Sequence, residues 1–302
     1  TDIYNVTVKN CSFRNIGTDA FAITGSQKAW TDKDYWQRQN LDAAYNCEIS
    51  DNVFYNIGGH AVVLDGGNVD TLTPGNNVLK NNIFNKCAQT IKNYETILVK
   101  GCGNSVVNNN ISRSAFQAIR HYGNDHVISY NEIYNVLQET DDCGAIYCGR
   151  NTVQRGTVIS YNYLHDLYST DDLPFKHQAA IYWDDNQTGI KAYKNIIRDA
   201  QINVYTNGVD NEYSSNTSIN IKKTNIDFKN GGAATNQDTE GDKVNAYIKN
   251  PNLYYGKYAN LKAIIDSTSR TEPSLAKYNV IKNNLSVAGT GEDGIGLNTR
   301  LN

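Results

Sequence analysis

Four aspartates stand where two copies of one short strand can carry them to a common surface. Asp141 and Asp142 precede Cys143-Gly144-Ala145-Ile146-Tyr147-Cys148-Gly149, and Asp184 and Asp185 follow Gln178-Ala179-Ala180-Ile181-Tyr182-Trp183. Both segments contain Ala-Ile-Tyr. Two carboxyl groups are what glycoside hydrolysis requires, ~5.5 Å apart when one is a nucleophile and ~6.5–9.5 Å apart when a water must fit between them. If the two segments are the same strand on successive turns of a solenoid, their carboxylates lie on adjacent turns. The obstacle runs along the strand: Asp142 precedes Ile146, whereas Asp184 follows Ile181. At ~3.3 Å per residue that offset is too long for a straight strand, so the pair meets only if the Leu137 to Cys143 loop folds back over the face. Asp142 and Asp184 are the leading catalytic candidates, with Asp141 and Asp185 as alternates; turn capping is the competing role for any one of them.

Around them lie groups suited to a sugar polymer. Tyr147, Tyr182 and Trp183 offer ring faces for sugars. Arg120, His121 and Tyr122 form a polar cluster able to bind an acidic sugar or orient a catalytic acid. His177, with Lys176, ends a polar insertion just before Ala180, where a lid residue would sit. Asp65 and Lys100 are spaced to pair across neighbouring turns, which on a surface is worth little. On the same scaffold, Lys100, Arg120 or His121 as a base would instead make a polysaccharide lyase or epimerase acting on uronic-acid polymers. With the aspartates acting only as loop caps, the chain would be a non-catalytic carbohydrate-binding protein. No metal motif is present and no cofactor is expected, apart from a nonspecific Ca²⁺ site that turn Asp and Asn oxygens can form.

The elements that position these residues are visible as a repeat. An apolar-x-x-Asn pattern recurs at Ile49 to Asn52, Leu79 to Asn82, Val107 to Asn110, Ile128 to Asn131, Ile159 to Asn162 and Ala192 to Asn195; Val8 to Cys11 is a first copy with Cys in the Asn place. The excess spacing between copies falls in polar segments, Gln27 to Asn46 and Tyr168 to His177, as in a solenoid whose loops lie on one side. The apolar alternations are too short for helices and are spaced for strands. Stacked ~4.8 Å apart, parallel strands place each Asn above the last, where its amide bonds its neighbours and the turn backbone. The expected fold is all-β, a right-handed parallel β-helix of about eight coils over residues 1–228, with 229–302 an irregular segment that packs along it or caps it. An open solenoid end needs such cover.

A second strand follows each Asn motif, aligned as Phe21-Ala-Ile23, Val62-Val-Leu64, Ile97-Leu-Val99, Ile119-Arg-His121, Ile146-Tyr-Cys148, Ile181-Tyr-Trp183 and Ile202-Asn-Val204. With the first column inward, alternation sends Ala22, Val63, Leu98, Arg120, Tyr147, Tyr182 and Asn203 outward. A one-residue slip exposes His121, Cys148 and Trp183 instead.

Composition narrows the class. In 302 residues Tyr (21) is abundant and Pro (4) is scarce, which suits short strands and Asn-rich turns rather than a helical bundle. A net charge of −3 leaves no electrostatic footprint for nucleic acid or an anionic membrane, and no apolar run approaches a membrane span. The six cysteines show no zinc spacing; Cys11, Cys47, Cys87 and Cys148 fall at core or ladder positions, where small buried thiols are expected. The chain opens inside a repeat at Val6-Thr7-Val8, so further N-terminal coils are expected, and the absence of a signal segment is compatible with secretion.

Asp142-Cys-Gly-Ala-Ile-Tyr, Gly156-Thr-Val-Ile-Ser-Tyr-Asn-Tyr-Leu-His-Asp166, Ala180-Ile-Tyr-Trp-Asp-Asp185 and Lys257-Tyr-Ala-Asn-Leu resemble the C-terminal part of the β-helix enzymes of glycoside hydrolase family 141. The resemblance implies a secreted bacterial enzyme acting on plant polysaccharides, with α-L-fucosidase and xylanase among its activities; a monomer with a polysaccharide or oligosaccharide substrate is expected. It carries the two catalytic aspartates onto Asp142 and Asp184, and departs mildly at Cys143, where a small residue is expected. It also implies additional coils before Thr1.

Overall fold

In the computed structural model, residues 2–24, 43–149, 152–167, 177–184, 187–229, 250–267, 278–287 and 296–298 are described. The chain is a right-handed parallel β-helix. Each turn lays down one strand in each of three sheets, and every pairing between named strands is parallel. Among the described residues the second and third sheets have nine strands each, eight of them within residues 1–228 as expected and the ninth from the C-terminal segment.

The density of Asn comes from the corners. A residue with φ near +55° ends most strands: Asn10, Asp51, Asn81 and Asn108 between the second and third sheets, and Asn15, Asn56 and Asn135 between the third and the first. This left-handed region is tolerated best by Gly, Asn and Asp. The residue after the second-to-third corner points inward and forms the ladder. Amide Nδ2 donates to the next Oδ1 along Asn52, Asn82, Asn109, Asn131, Asn162, Asn195 and Asn216 at 2.9–3.0 Å. The repeat read as Val107 to Asn110 is displaced by one: Val106 is the interior residue and Asn109 the ladder residue, while Asn110 opens the next strand. Three consecutive asparagines made that register ambiguous.

A second ladder runs up the corner between the first and second sheets. Cys47 N–H donates to Asn77, whose amide donates to Asn104; Asn104 N–H then donates to His126 Nδ1, and His126 N–H to Thr157. His126 is thus a structural stand-in for Asn. Cys11 keeps its ladder place, its N–H bonded to Asn52 Oδ1, but is exposed because it lies in the first rung rather than between two. The other five cysteines are buried and free.

Inside, identical positions stack into columns, as in Phe13–Phe54–Phe84, with centroids 4.7 and 4.8 Å apart. The 229–302 segment leaves the solenoid only in part. Helices Pro251–Lys257 and Leu261–Ser267 pack along the first-to-second corner, where Tyr254 and Tyr258 join Leu72, Cys102 and Val153. Val280–Lys282, Leu285–Val287 and Gly296–Asn298 then add a further rung to all three sheets.

Candidate functional site

The outer face of the first sheet carries the candidate residues. Its register stacks Val63, Leu98, Arg120, Tyr147, Tyr182 and Tyr205 in one outward row, one per rung. The expected neighbour of Tyr182 was Asn203. The strand Ile202–Thr206 is instead shifted by two, Ile181 pairing with Val204, so Tyr205 joins the row and Asn203 accepts the buried Tyr213 hydroxyl. The period of two makes such a shift invisible to alternation alone.

The alternation itself holds where chemistry is at stake, with consequences for two candidates. His121 and Trp183 fall on the inward parity: Trp183 is fully buried in the interior cluster, and His121 is buried in register with Val99. Burial, helped by neighbouring His126, pushes the His121 imidazole down to about 3, so it stays neutral. Neither belongs to the outer face. Tyr122 is outward but closed over, packed with Val63 and Leu98.

Asp142, in the loop before Cys143, takes the left-handed conformation at φ 52°. Its carboxylate accepts the Tyr182 hydroxyl at 2.9 Å and lies 3.0 Å from His177 Nδ1. Asp141 is the capping residue of this loop, accepting the backbone N–H groups of Asp142 and His177. His177 stands edge-on to Tyr182 and Tyr205, and so ties the loop to the tyrosine row. On the next rung Asp184 accepts the Tyr147 hydroxyl at 2.7 Å. Gly149 is opposite Asp184 because nothing larger fits: a Cβ there would lie 2.6 Å from Asp184 Cβ.

Tyr147 and Tyr182 meet edge to face at 5.4 Å in a nearly buried cluster with Tyr205, their hydroxyls bonded to Asp184 and Asp142 respectively. Burial holds the Tyr182 phenol far above its ordinary value, and the negative charges of Asp184 and Asp142 add to the shift. It therefore remains a hydrogen-bond donor to Asp142 at any working pH. Asp185 and Lys176 lie outside the described residues.

Among the described residues, Lys100 and Arg120, the cations proposed as bases, are both engaged. Arg120 lies over the Tyr147 ring at 4.6 Å and the Tyr122 ring at 5.4 Å, 3.8 Å from the buried Glu95. Lys100 and Asp65 pair at 3.3 Å as foreseen, but buried (8% and 4% exposed) rather than at the surface. Removing one partner strands the other charge: Lys100→Met is expected to cost about 3–5 kcal/mol of stability by urea unfolding, where an exposed pair would cost less than about 1 kcal/mol.

Sequence reasoning missed Glu95 and His60, which lie two residues ahead of Ile97 and Val62, before the paired strands begin, with Glu95 reaching Arg120. A charged residue two positions before an inward Ile or Val was the available signal. Among the described residues, no three or more His, Cys, Asp and Glu side chains are grouped to hold a metal ion. No family model, curated protein or solved structure matches the chain.

Proposed function

We propose that this protein is a glycoside hydrolase acting on a xylan-type polysaccharide or a fucosylated glycan of the plant cell wall, outside the cell and as a monomer, with Asp142 and Asp184 as its carboxyl pair. The observation that carries the reading is that Tyr182 and Tyr147 are in contact, each donating to one of the two carboxylates. The two tyrosines are themselves nearly buried (6% and 3% exposed), so a sugar would meet the carboxylates at their edge, where Asp142 is exposed and Asp184 half-buried. One carboxyl, protonated, gives its proton to the leaving oxygen; the other, ionised, activates a water or attacks the anomeric carbon. His177 and the buried Tyr205 pack against Tyr182. The resemblance of the segments around Asp142 and Asp184 to the family 141 enzymes, as read in the sequence, is in keeping with this proposal.

Elimination on a uronic acid is less well served. It needs a free base, whereas Lys100 is ion-paired, His121 faces the interior, and Arg120 is held between two rings beside Glu95. Incubation with a panel of xylans, fucosylated glycans and pectins tests the proposal, reading reducing ends and ultraviolet absorbance together. Reducing ends without an absorbing product are expected. An unsaturated, absorbing product would move the reaction to elimination, and no product on any glycan would remove the enzyme reading.

A further inference from the structure

A line of charged and aromatic side chains crosses the outer face of the first sheet, one per rung for six rungs. Asp19 Oδ1 lies 3.1 Å from His60 Nδ1 and also accepts the His60 N–H. His60 Nε2 lies 3.3 Å from Glu95 Oε1, and Glu95 Oε2 lies 3.8 Å from the Arg120 guanidinium. Arg120 covers the Tyr147 ring, and the Tyr147 hydroxyl holds Asp184. Glu95 is fully buried, and the His60 side chain is 6% exposed. Sequestering such a set is costly and gives little net stability over an apolar filling of the same volume. What it supplies is fixed orientation.

We infer that Glu95, itself held by His60, is a positioning residue that clamps Arg120 against Tyr147 and thereby fixes Asp184 for the chemistry proposed above. The catalytic half of this inference rests on the hydrolase reading, whereas the clamp does not. An arginine has several rotamers over a flat ring, and a carboxylate behind it selects one. The aromatic ring then cannot tilt without losing the guanidinium, and its hydroxyl stays on Asp184. His60 is faced by Asp19, Glu95 and the stacked ring of Tyr94, 4.2 Å away. Burial works against its charge, but the hydrogen bonds and charges of Asp19 and Glu95 prevail and raise the imidazolium to about 9. Burial likewise works against ionised Glu95, and His60 and Arg120 bring it below the usual carboxylate range. The sign follows: the contribution of His60 is fully present below its unfolded value near 6.5 and is lost as pH rises through about 9.

The test is Glu95→Gln, with Glu95→Asp as the conservative partner. The clamp is read by NMR on selectively labelled protein, from the ring-current shift of the Arg120 δ-protons over Tyr147 and the titration of His60. In Glu95→Gln the ring-current shift is expected to vanish and the His60 midpoint to fall; Glu95→Asp should restore part of both. In the same variant kcat should drop on the order of 10²-fold with KM little changed, and the alkaline limb of the wild-type pH profile should move to lower pH. An unchanged ring-current shift overturns the clamp. A lost shift with unchanged kcat and pH profile overturns its role in catalysis. If the wild-type protein cleaves no glycan, the hydrolase reading and the catalytic role fall together, and the NMR arm still decides the clamp.

Discussion

Asp184→Asn is expected to lower kcat on the order of 10³-fold or more while leaving the melting temperature within a few degrees of the parent. The asparagine has the shape of the aspartate and its Oδ1 can still accept the Tyr147 hydroxyl, so the hydrogen bond that seats it survives. What it loses is the ability to ionise or to hold a transferable proton, and glycoside cleavage has no substitute for either. Asp142→Asn should be equally inactive for the same reason, because its amide oxygen can still take the Tyr182 hydroxyl. Asp141→Asn is the control. Its carboxylate is spent on two backbone N–H groups that an amide oxygen also satisfies in part, so kcat should stay within about threefold. Added formate or azide should restore turnover only in the variant that has lost the attacking or base-acting carboxylate, which separates the two roles. Near-normal activity in both Asp142→Asn and Asp184→Asn would sink the assignment.

The fold was legible because stacking repeats one physical problem nine times. Each corner leaves inward backbone that needs an amide, and each strand end needs a left-handed residue, so Asn recurs at both places and advertises the period. The outward parity of Arg120, Tyr147 and Tyr182 followed from alternation within single strands. What alternation cannot supply is the register between rungs, and the two errors, Asn110 for Asn109 and Asn203 for Tyr205, are both register slips. Trp183 illustrates a different limit. Its size and its place beside Asp184 suggested a sugar platform, yet the inward parity buries it, and its ring completes the core instead. The clamp of His60 and Glu95 went unseen because its members lie ahead of the aligned strand positions.

Asn131→Ala is expected to produce one of the largest stability losses available from a single side chain outside the apolar core. The Asn131 amide donates to Val106 O and to Asn162 Oδ1, and its oxygen accepts from the backbone and the amide of Asn109. It is 1% exposed, so water cannot take its place. Truncation leaves the Val106 carbonyl and the Asn109 N–H, both on the preceding rung, without these partners, each costing ~1–3 kcal/mol when buried. The sum, reduced by relaxation, is about 2–4 kcal/mol by urea unfolding. The same change at Asn284 should cost about 1 kcal/mol or less, because that rung is partly open to water and solvent can replace the lost bonds. A ladder that works by satisfying backbone predicts this gradient from the middle of the solenoid to its end. Equal, small losses at both positions would mean that the asparagines are retained for their corner geometry alone. In that case the columns of stacked apolar side chains, led by Phe54 and Phe84, would carry the stability of the solenoid without them.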